Sequence, residues 1–270
     1  AKLFGYLKKN EGQNVMGVVN IDDDAADAFL AVSSVPVLTY GMSKKADLRV
    51  LDYQLLLNGT LFHFSYEGNA YEIKIPLMGK FNIYNTLGAM GALLADGIPL
   101  ENIIHHLSHA PQVAGRFELV DGGQDFAVVV DYAHTPDGLD NLLSTAREIT
   151  KGRLITVFGC GGDRDRTKRP IMGAISAQYS DFSFITSDNP RTEDPLFIIE
   201  EVEAGLKEVS TKYAVVPDRR EAILQAIRLA KTGDIVVIAG KGHENYQLIQ
   251  NQVLPFDDRK VAREILQQLK

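Results

Sequence analysis

The feature that most constrains the fold of this 270-residue chain is the alternation of short apolar runs with helical segments after residue 113. The apolar runs predict buried strands, because a strand that is covered on both faces has a near-continuous apolar sequence. Strands that alternate with helices are typical of an α/β domain with a mostly parallel sheet. The predicted strands are residues 126–130, 154–158, 182–186, 213–216 and 235–239, and the predicted helices are residues 137–150, 168–179, 196–208 and 219–231.

The first 113 residues follow a different pattern. Residues 46–76 show the period-two alternation of half-buried strands. Asn58-Gly59 separates two of the alternating runs and is a strong signal for a two-residue hairpin turn, so this part predicts an antiparallel meander. A strand–helix–strand pattern precedes the meander at residues 15–40, and two helices follow it at residues 82–95 and 100–107. We place a domain boundary near residue 113, in the polar stretch "SHAPQVAG".

The composition favours an ordinary globular protein and disfavours two classes of partner. The apolar fraction is 45% and the charged fraction 23%. A formal net charge of −7 makes a nucleic-acid groove or an anionic membrane surface an unfavourable partner. No apolar stretch approaches the roughly 18 residues of a membrane span, so we expect no membrane insertion. The composition does not indicate an oligomeric state.

The single cysteine, Cys160, excludes an intrachain disulfide and a zinc site built from cysteines. It suits a reducing compartment, and no signal peptide is present, so we expect a cytoplasmic protein. The chain begins at Ala1 in what resembles a helix already under way, without an N-cap. We therefore expect a fragment whose preceding residues are missing.

Four polar loops follow directly after predicted strands. They are "DYAHTPDG" from Asp131, "GCGGDRDRTKRP" from Gly159, "SDNPR" from Ser187 and "GKGHEN" from Gly240. The carboxyl ends of strands in an open α/β sheet form the edge where ligands bind. Four such loops at one edge predict a ligand site there.

Individual loop residues have both functional and structural interpretations. Gly159, Gly161 and Gly162 permit a sharp turn that can bring backbone N–H groups to an anion, or they serve packing alone. Asp131 is suited to accept hydrogen bonds from a ribose hydroxyl, although it could instead cap the helix that begins near Thr135-Pro136. His134 is placed to contact phosphate.

The loop at residues 187–195, "SDNPRTEDP", presents a carboxylate, an amide and a guanidinium on a tight turn. Pro190 fixes its own φ and biases Asn189 towards extended geometry. Asp188, Asn189 and Arg191 therefore suit a ligand that carries both an amine and a carboxylate. The alternative is a simple helix start with acidic residues in its first turn.

Three motif-like patterns are weak. His105 and His109 lie four residues apart on a predicted helix but lack the glutamate and the third ligand of a metal motif. "LMGKFN" at residues 77–82 resembles the end of a phosphate loop, yet Phe81 stands where Ser or Thr is required, and the chain contains no Walker A sequence. The glycines after residue 158 do not form G-x-G-x-x-G, which argues against a nicotinamide-dependent oxidoreductase.

Taken together, six motifs in this order resemble the Mur ligase family, the ATP-dependent amide ligases of peptidoglycan synthesis. They are "MGKFNIYN", "GRFE", "DYAHTPD", "FGCGGDRDRTKRP", "DNPR" and "GKGHE", and they span essentially the whole chain. The resemblance implies that residues 1–113 are the end of a central ATP-binding domain. It implies that residues 114–270 are a Rossmann-like domain for the incoming amino acid.

The resemblance also implies roles for individual residues. Asn82 and Asn85 would flank the adenine, Asp131 would hold the ribose, and Arg116 and His134 would approach the phosphates of ATP. Lys2 matches a lysine that the family carbamylates to help bind Mg²⁺. Lys2, Arg116 and His134 are thus the implied catalytic residues.

The "DNPR" form of the loop implies meso-diaminopimelate as the amino acid and a UDP-N-acetylmuramoyl dipeptide as its acceptor. Diaminopimelate differs from lysine by a second carboxylate, which Arg191 can bind bidentately. Arg164 would bind a carboxylate too, and Asp188, Asn189, Pro190, Gly240 and Glu244 would accept from the ammonium or orient the turn. Because the phosphate loop and the UDP-sugar domain are absent, a non-catalytic binding fragment remains an alternative for the isolated chain.

Overall fold

The computed structural model describes residues 4, 7, 15–250 and 252–269. The chain divides into two compact units, residues 1–111 and 112–270. No helix in these described ranges is both long enough and apolar enough to cross a membrane.

The first unit is a five-stranded sheet with helices packed on it. Its elements are β1 (Gly17–Asn20), α1 (Ala26–Leu30), β2 (Val37–Gly41), β3 (Leu48–Leu56), β4 (Gly59–Tyr66), β5 (Asn69–Ile75), α2 (Lys80–Ala95) and α3 (Leu100–Ser108). The strands lie in chain order, with β1, β2 and β3 parallel and β3, β4 and β5 antiparallel. The predicted meander is therefore confirmed, but the turn between its first two strands consists of Leu57 and Asn58, and Gly59 is already the first residue of β4.

The core of this unit forms where α2 and α3 lie against the five-stranded sheet. Phe62 and Phe64 of β4 alternate with outward-facing residues, and both are fully buried. They pack with Ile83 and Leu87 of α2 in one apolar cluster. This burial explains why a helix with no charged residue beyond its first position, Lys80, is stable here.

The second unit is built on a six-stranded sheet. Its elements are β6 (Glu118–Leu119), β7 (Ala127–Asp131), α4 (Pro136–Ile149), β8 (Leu154–Phe158), α5 (Lys168–Tyr179), β9 (Phe182–Ile185), α6 (Pro195–Lys207), β10 (Tyr213–Val215), α7 (Arg219–Leu229), β11 (Ile235–Ala239), β12 (Tyr246–Ile249), β13 (Gln252–Pro255) and α8 (Asp258–Gln268). The spatial order in the large sheet is β10-β9-β8-β11-β7-β6, and only the pairing of β6 with β7 is antiparallel. The predicted mostly parallel α/β fold is confirmed.

Helices cover both faces of this sheet, as near-continuous apolar strands require. Val128, Val236 and Ile238 pack with residues of α7 and α8 in one cluster. Val129 and Val237 alternate to the opposite face and are equally buried. On that face α4 lies against β11, and α5 and α6 lie against β9.

Candidate active site

Four polar loops leave the same edge of the large sheet. They follow β9, β8, β11 and β7, which are adjacent in the sheet and mutually parallel. β11 is last of the four in sequence but lies between β8 and β7 in space. The loops after Phe158 and Ala239 are therefore neighbours, although about 80 residues separate them in the chain. The sheet topology thus assembles the candidate site.

The turn at residues 187–195 is held firmly at this edge. Asp188, Asn189 and Pro190 are buried, whereas Arg191 is partly exposed. Arg191 has a φ of +54°, a left-handed conformation that is uncommon for a residue with a side chain. Its backbone N–H donates to Leu248 O at 3.0 Å, and its carbonyl accepts from Gln250 N. The β12–β13 hairpin therefore fixes the backbone from which the guanidinium projects.

The guanidinium of Arg191 uses only part of its hydrogen-bonding capacity. Nη1 donates to Gly162 O at 2.8 Å and, more weakly, to Asn189 O at 3.4 Å. Within the described ranges, Nε and Nη2 donate to no protein atom and are not among the buried unpaired atoms. The Nη1 edge of the guanidinium is thus anchored to the protein, and the edge with Nε and Nη2 is free for a ligand carboxylate.

Asn189 is tied to the loop after β11 through Lys241 and Glu244. Asn189 Oδ1 accepts from Lys241 Nζ at 3.0 Å and from Leu248 N at 2.9 Å, and its Nδ2 donates to Glu244 Oε2 at 2.9 Å. Lys241 is completely buried, and its Nζ also lies 3.3 Å from Glu244 Oε2. Both ends of the Asn189 amide are therefore bonded to protein atoms, which suits a residue that orients the turn.

Asp188 faces a buried arginine across the floor of the turn. Its Oδ2 has no hydrogen-bond partner among the described residues and lies 3.9 Å from Arg219 Nη1, which is likewise unpaired. Arg219 is buried because Asp258 binds it bidentately at 2.7 and 2.8 Å. Burial alone would lower the pKa of Arg219, but the charge of Asp258 outweighs that effect and raises the pKa.

Gly240 is required for this arrangement. Its φ is +120°, and a Cβ at this position would lie 2.6 Å from Asp188 Oδ2. The absence of a side chain lets the carboxylate of Asp188 approach the backbone of the loop. Gly240 therefore matters for its small size and its backbone conformation. Its own N–H donates to Asp131 O at 3.0 Å.

Asp131 is buried at the end of β7, and both of its carboxylate oxygens accept from backbone amides. Oδ2 accepts from Phe117 N at 2.7 Å, and Oδ1 accepts from Ala133 N at 2.8 Å. Burial raises the pKa of Asp131, while these bonds oppose the rise. The alternative interpretation of Asp131 as a helix cap is wrong, because Thr135 caps α4 by accepting from Gly138 N.

Arg116, His134 and His243 gather around the ring of Tyr132. The Arg116 Cζ lies 4.9 Å from the ring centroid, and the two imidazoles lie 4.6 and 5.0 Å from it. His134 Nδ1 bonds to Tyr132 O at 2.8 Å, which leaves its Nε2 outward. Arg116 forms no ion pair with any residue that the structure describes. The three side chains therefore form one cluster around Tyr132 that is suited to bind an anion.

Arg164 lies on the exposed loop after β8. Its Nη1 donates to Asp163 O at 2.9 Å, and no other hydrogen bond of its side chain is present in the described part of the chain. Among the described residues, no hydrogen bond joins the Arg164 side chain to the turn that carries Arg191.

Asn82 and Asn85 lie on α2 of the first unit. Asn82 Nδ2 donates to Met78 O at 2.6 Å, and Asn85 Nδ2 donates to Asn82 Oδ1 at 3.1 Å. Asn85 is exposed and Asn82 is partly buried. The two amides are therefore adjacent, with the second more accessible.

Lys2 lies outside the described residues. In the described ranges, no group of three or more His, Cys, Asp or Glu side chains is placed to hold a metal ion. At the C-terminal end of α3, the rings of His105 and His109 lie 4.7 Å apart, and His109 Nδ1 bonds to His105 O at 2.7 Å.

Several site residues escaped the sequence analysis. Tyr132 is the ring on which the cationic groups converge, and its place between Asp131 and His134 in the motif was the available signal. Lys241, Arg169 and Arg219 are buried cations beneath the loops. Nothing local in the sequence distinguishes a buried arginine from an exposed one, because its burial depends on carboxylates distant in the chain.

Comparison with known proteins gives two family matches. The model described as "Mur ligase middle domain" matches residues 1–93, and the model described as "Mur ligase, glutamate ligase domain" matches residues 115–242. Together they cover most of the chain, one match in each compact unit.

Individual relatives point to one ligase. The UDP-N-acetylmuramoyl-L-alanyl-D-glutamate–2,6-diaminopimelate ligase of Syntrophomonas wolfei is 54% identical over 266 residues, which is 98% of this chain and 54% of that protein. The ligase of the same name from Clostridium botulinum is 47% identical over 93% of this chain and 52% of its own length. The chain thus spans about half the length of the curated relatives it matches.

A solved structure of a ligase with the same name resembles this structure. It has a TM-score of 0.69 and 36% sequence identity, and the match covers 94% of this chain and 53% of that one. The two family matches, these relatives and the shared fold agree with the resemblance that the motifs indicate. The chain belongs to the Mur ligase family, with its match to the middle domain at residues 1–93 and its match to the glutamate ligase domain at residues 115–242.

Proposed function

We propose that this chain is part of an ATP-dependent ligase that adds meso-diaminopimelate to UDP-N-acetylmuramoyl-L-alanyl-D-glutamate in peptidoglycan synthesis. A relative carrying that name is 54% identical, but the chain spans about half of its length. The ligation as a whole is therefore a property of the longer protein. We expect the isolated chain to bind ligands without turnover.

One observation carries the choice of amino acid: the guanidinium of Arg191 is anchored on one edge and free on the other. The anchored edge donates to Gly162 O at 2.8 Å. A carboxylate at the free edge would form two parallel charge-assisted hydrogen bonds. Lysine has no carboxylate at that end and would leave the partly buried fork without a partner, so the site should disfavour it.

Acidic groups nearby suit the ammonium of the same amino acid. Glu244 is partly exposed, and its Oε2 is already held by Asn189 and Lys241. Its other oxygen accepts no hydrogen bond from the residues that the structure describes. Glu244 can therefore accept from a ligand ammonium while the buried amide keeps it oriented.

The group around Tyr132 suits the phosphates of ATP. Arg116 is exposed and carries a full positive charge, and His134 presents Nε2 outward. In the proposed reaction the γ-phosphoryl group of ATP passes to the side-chain carboxylate of D-glutamate, giving an acyl phosphate and ADP. The amine of diaminopimelate then forms a C–N bond at that carbonyl carbon, loses a proton and expels phosphate. Catalysis would rest on positioning and on neutralising the phosphate charge.

Magnesium enters this proposal only through the family resemblance of Lys2. The described residues do not form a metal site of their own. The nicotinamide-dependent alternative has no support, since the chain belongs to the Mur ligases and lacks the dinucleotide fingerprint.

The test of this proposal uses the full-length ligase, in which this chain is joined to the half that its relatives carry in addition. The enzyme is incubated with ATP, the UDP-linked dipeptide and either meso-diaminopimelate or L-lysine. We expect release of inorganic phosphate and a UDP-linked tripeptide with diaminopimelate, and little product with lysine. Equal product with both amino acids, or none with diaminopimelate, would refute the assignment.

A further inference from the structure

Two loops of the candidate site are joined by side chains that have no expected role in binding a ligand. Asp163 lies in the loop after β8, Thr192 and Glu193 follow Arg191, and Arg169 lies in the first turn of α5. We propose that these four residues, named here the clasp, set the position of the Arg191 guanidinium and so determine selectivity for an amino acid with a distal carboxylate. Because Arg191 matters here as a carboxylate ligand, the role of the clasp rests on the proposed function.

The first half of the clasp joins Asp163 to Thr192. Thr192 Oγ1 donates to Asp163 Oδ1 at 2.7 Å, and Thr192 N donates to Asp163 Oδ2 at 3.3 Å. Asp163 has a φ of +54°, as does Arg191. Each of the two joined loops thus contains a non-glycine residue in left-handed conformation. Such conformations persist only where the surroundings impose them.

The second half joins Glu193 to Arg169. Glu193 Oε1 accepts from Asp163 N at 2.6 Å, and the two carboxylate oxygens of Glu193 lie 2.8 and 2.9 Å from the Arg169 guanidinium. Arg169 is fully buried and is neutralised further by Glu201 at 2.6 Å. Arg169 also donates to Gly161 O at 3.3 Å. One buried cation thus fixes both loops from beneath.

The clasp bears directly on Arg191 through Gly162. Gly162 N donates to Asn189 O at 2.9 Å, and Gly162 O accepts from Arg191 Nη1. A Cβ on Gly162 would lie 2.0 Å from Pro190 O, so the two backbones touch at this point. A shift of the loop that carries Asp163 would therefore move the acceptor that anchors Arg191. Arginine binds a carboxylate bidentately only in a narrow geometry, so a small shift should cost selectivity.

The inference predicts that Thr192→Val weakens selectivity without unfolding the protein. Valine keeps the shape of threonine and removes only the hydroxyl that binds Asp163, a residue on the exposed loop. We expect the ratio of Kd for L-lysine to Kd for meso-diaminopimelate, measured by calorimetric titration of the 270-residue chain, to fall about tenfold, as expected for loss of one hydrogen bond to a charged group. Thr192→Ser, which keeps the hydroxyl, should retain the wild-type ratio.

Thr232→Val provides a matched control. The Thr232 hydroxyl also binds a carboxylate, that of Asp125, but at the opposite edge of the sheet. This variant should keep the wild-type ratio, and the two valine variants should both melt cooperatively and lose a similar few degrees in melting temperature. A wild type that prefers diaminopimelate together with a Thr192→Val variant of unchanged preference would overturn the role of the clasp alone. A wild type without preference would overturn the proposed function and the clasp together.

Discussion

Three cationic side chains lie beneath the loops of the candidate active site, almost without contact with solvent: Lys241, Arg169 and Arg219. A buried charge is tolerated only when it is paired, because desolvation of a lone ion is very costly. Lys241 pairs with Glu244 of its own loop. Arg169 pairs with Glu193 and Arg219 pairs with Asp258, and both of these carboxylates come from other parts of the chain. These buried ion pairs therefore hold the loops of the site in place. Arg191 differs from the three buried cations, because part of its guanidinium remains free for a ligand.

At the residue scale, we expect Glu193 to make stability depend on acid pH. The hydrogen bonds from Arg169 hold the pKa of Glu193 at about 2, below the ordinary value of 4.5. A carboxylate whose pKa is lower in the folded state contributes stability above its unfolded pKa and loses that contribution as pH falls towards the folded value. The free energy of unfolding should therefore fall by about 2 to 3 kcal/mol between about pH 5 and pH 2 through this group.

Glu193→Gln tests this dependence by urea denaturation across the same pH range. The variant should be less stable at pH 7 and should show a shallower decline towards pH 2. Glu264→Gln is the control, since Glu264 pairs with Arg220 on the exposed surface, where an ion pair contributes little. Identical pH profiles for Glu193→Gln and the wild type would contradict the expectation.

At the scale of elements, the sequence identified the strands of both sheets to within about two residues, except for the two-residue strand β6, which was missed. Apolar runs such as Leu154–Phe158 had no competing interpretation, because their length and their flanking glycines suit a buried strand. The β12–β13 hairpin and α8 were missed. The hairpin lies apart from the large sheet, and β13 is exposed along its whole length. Its consecutive Val253 and Leu254 do not show the alternation of a half-buried strand.

Helix α8 did carry a signal in its sequence. Asp257 stands at the N-cap, and Val261, Ala262, Ile265 and Leu266 form a buried stripe at helical spacing. This stripe completes the core cluster on one face of the sheet. The helix also supplies Asp258, the partner of Arg219, so the missed element connects directly to the candidate site.

We expect the N-cap of α8 to contribute more to the free energy of unfolding than the N-cap of α6. Asp257 is buried and accepts from Arg259 N and Lys260 N, whereas Asp194 is exposed and accepts from Leu196 N alone. Asp257→Ala should lower the free energy of unfolding by about 1 to 2 kcal/mol, and Asp194→Ala by about 0.5 to 1 kcal/mol. Chemical denaturation measures both. An equal or larger loss for Asp194→Ala would show that burial of the cap does not matter.

At the scale of the whole molecule, each compact unit has an apolar core of its own. The second unit has eight strands, five helices and most of the residues proposed to bind ligands. A unit with its own core is expected to fold alone. Residues 112–270, expressed separately, should therefore unfold cooperatively and retain affinity for meso-diaminopimelate. Circular dichroism during heating, followed by titration, tests this, and a gradual non-cooperative melt would contradict it.

The sequence predicted which loops form the candidate site, but not which of their residues face a ligand and which hold the loops in place. The position of each motif after a strand was sufficient to place Asp131, Gly159, Asp188 and Gly240 at one edge, because parallel strands end on the same side. The internal bonds of Asn189 and the burial of Asp188 depend on Lys241 and Arg219, which the chain brings in from more than 30 residues away. Side-chain partners at such distances follow from the packed fold and not from local pattern.

The central claim is that the free edge of Arg191 binds the distal carboxylate of a diamino diacid. Calorimetric titration of the wild type and of Arg191→Ala with meso-diaminopimelate and with L-lysine tests it most directly. The wild type should bind diaminopimelate at least about tenfold more tightly than lysine, since a charge-assisted pair contributes more than a neutral hydrogen bond. Arg191→Ala should bind both alike. Comparable binding of the two amino acids by the wild type, or an undiminished preference in Arg191→Ala, would contradict the account.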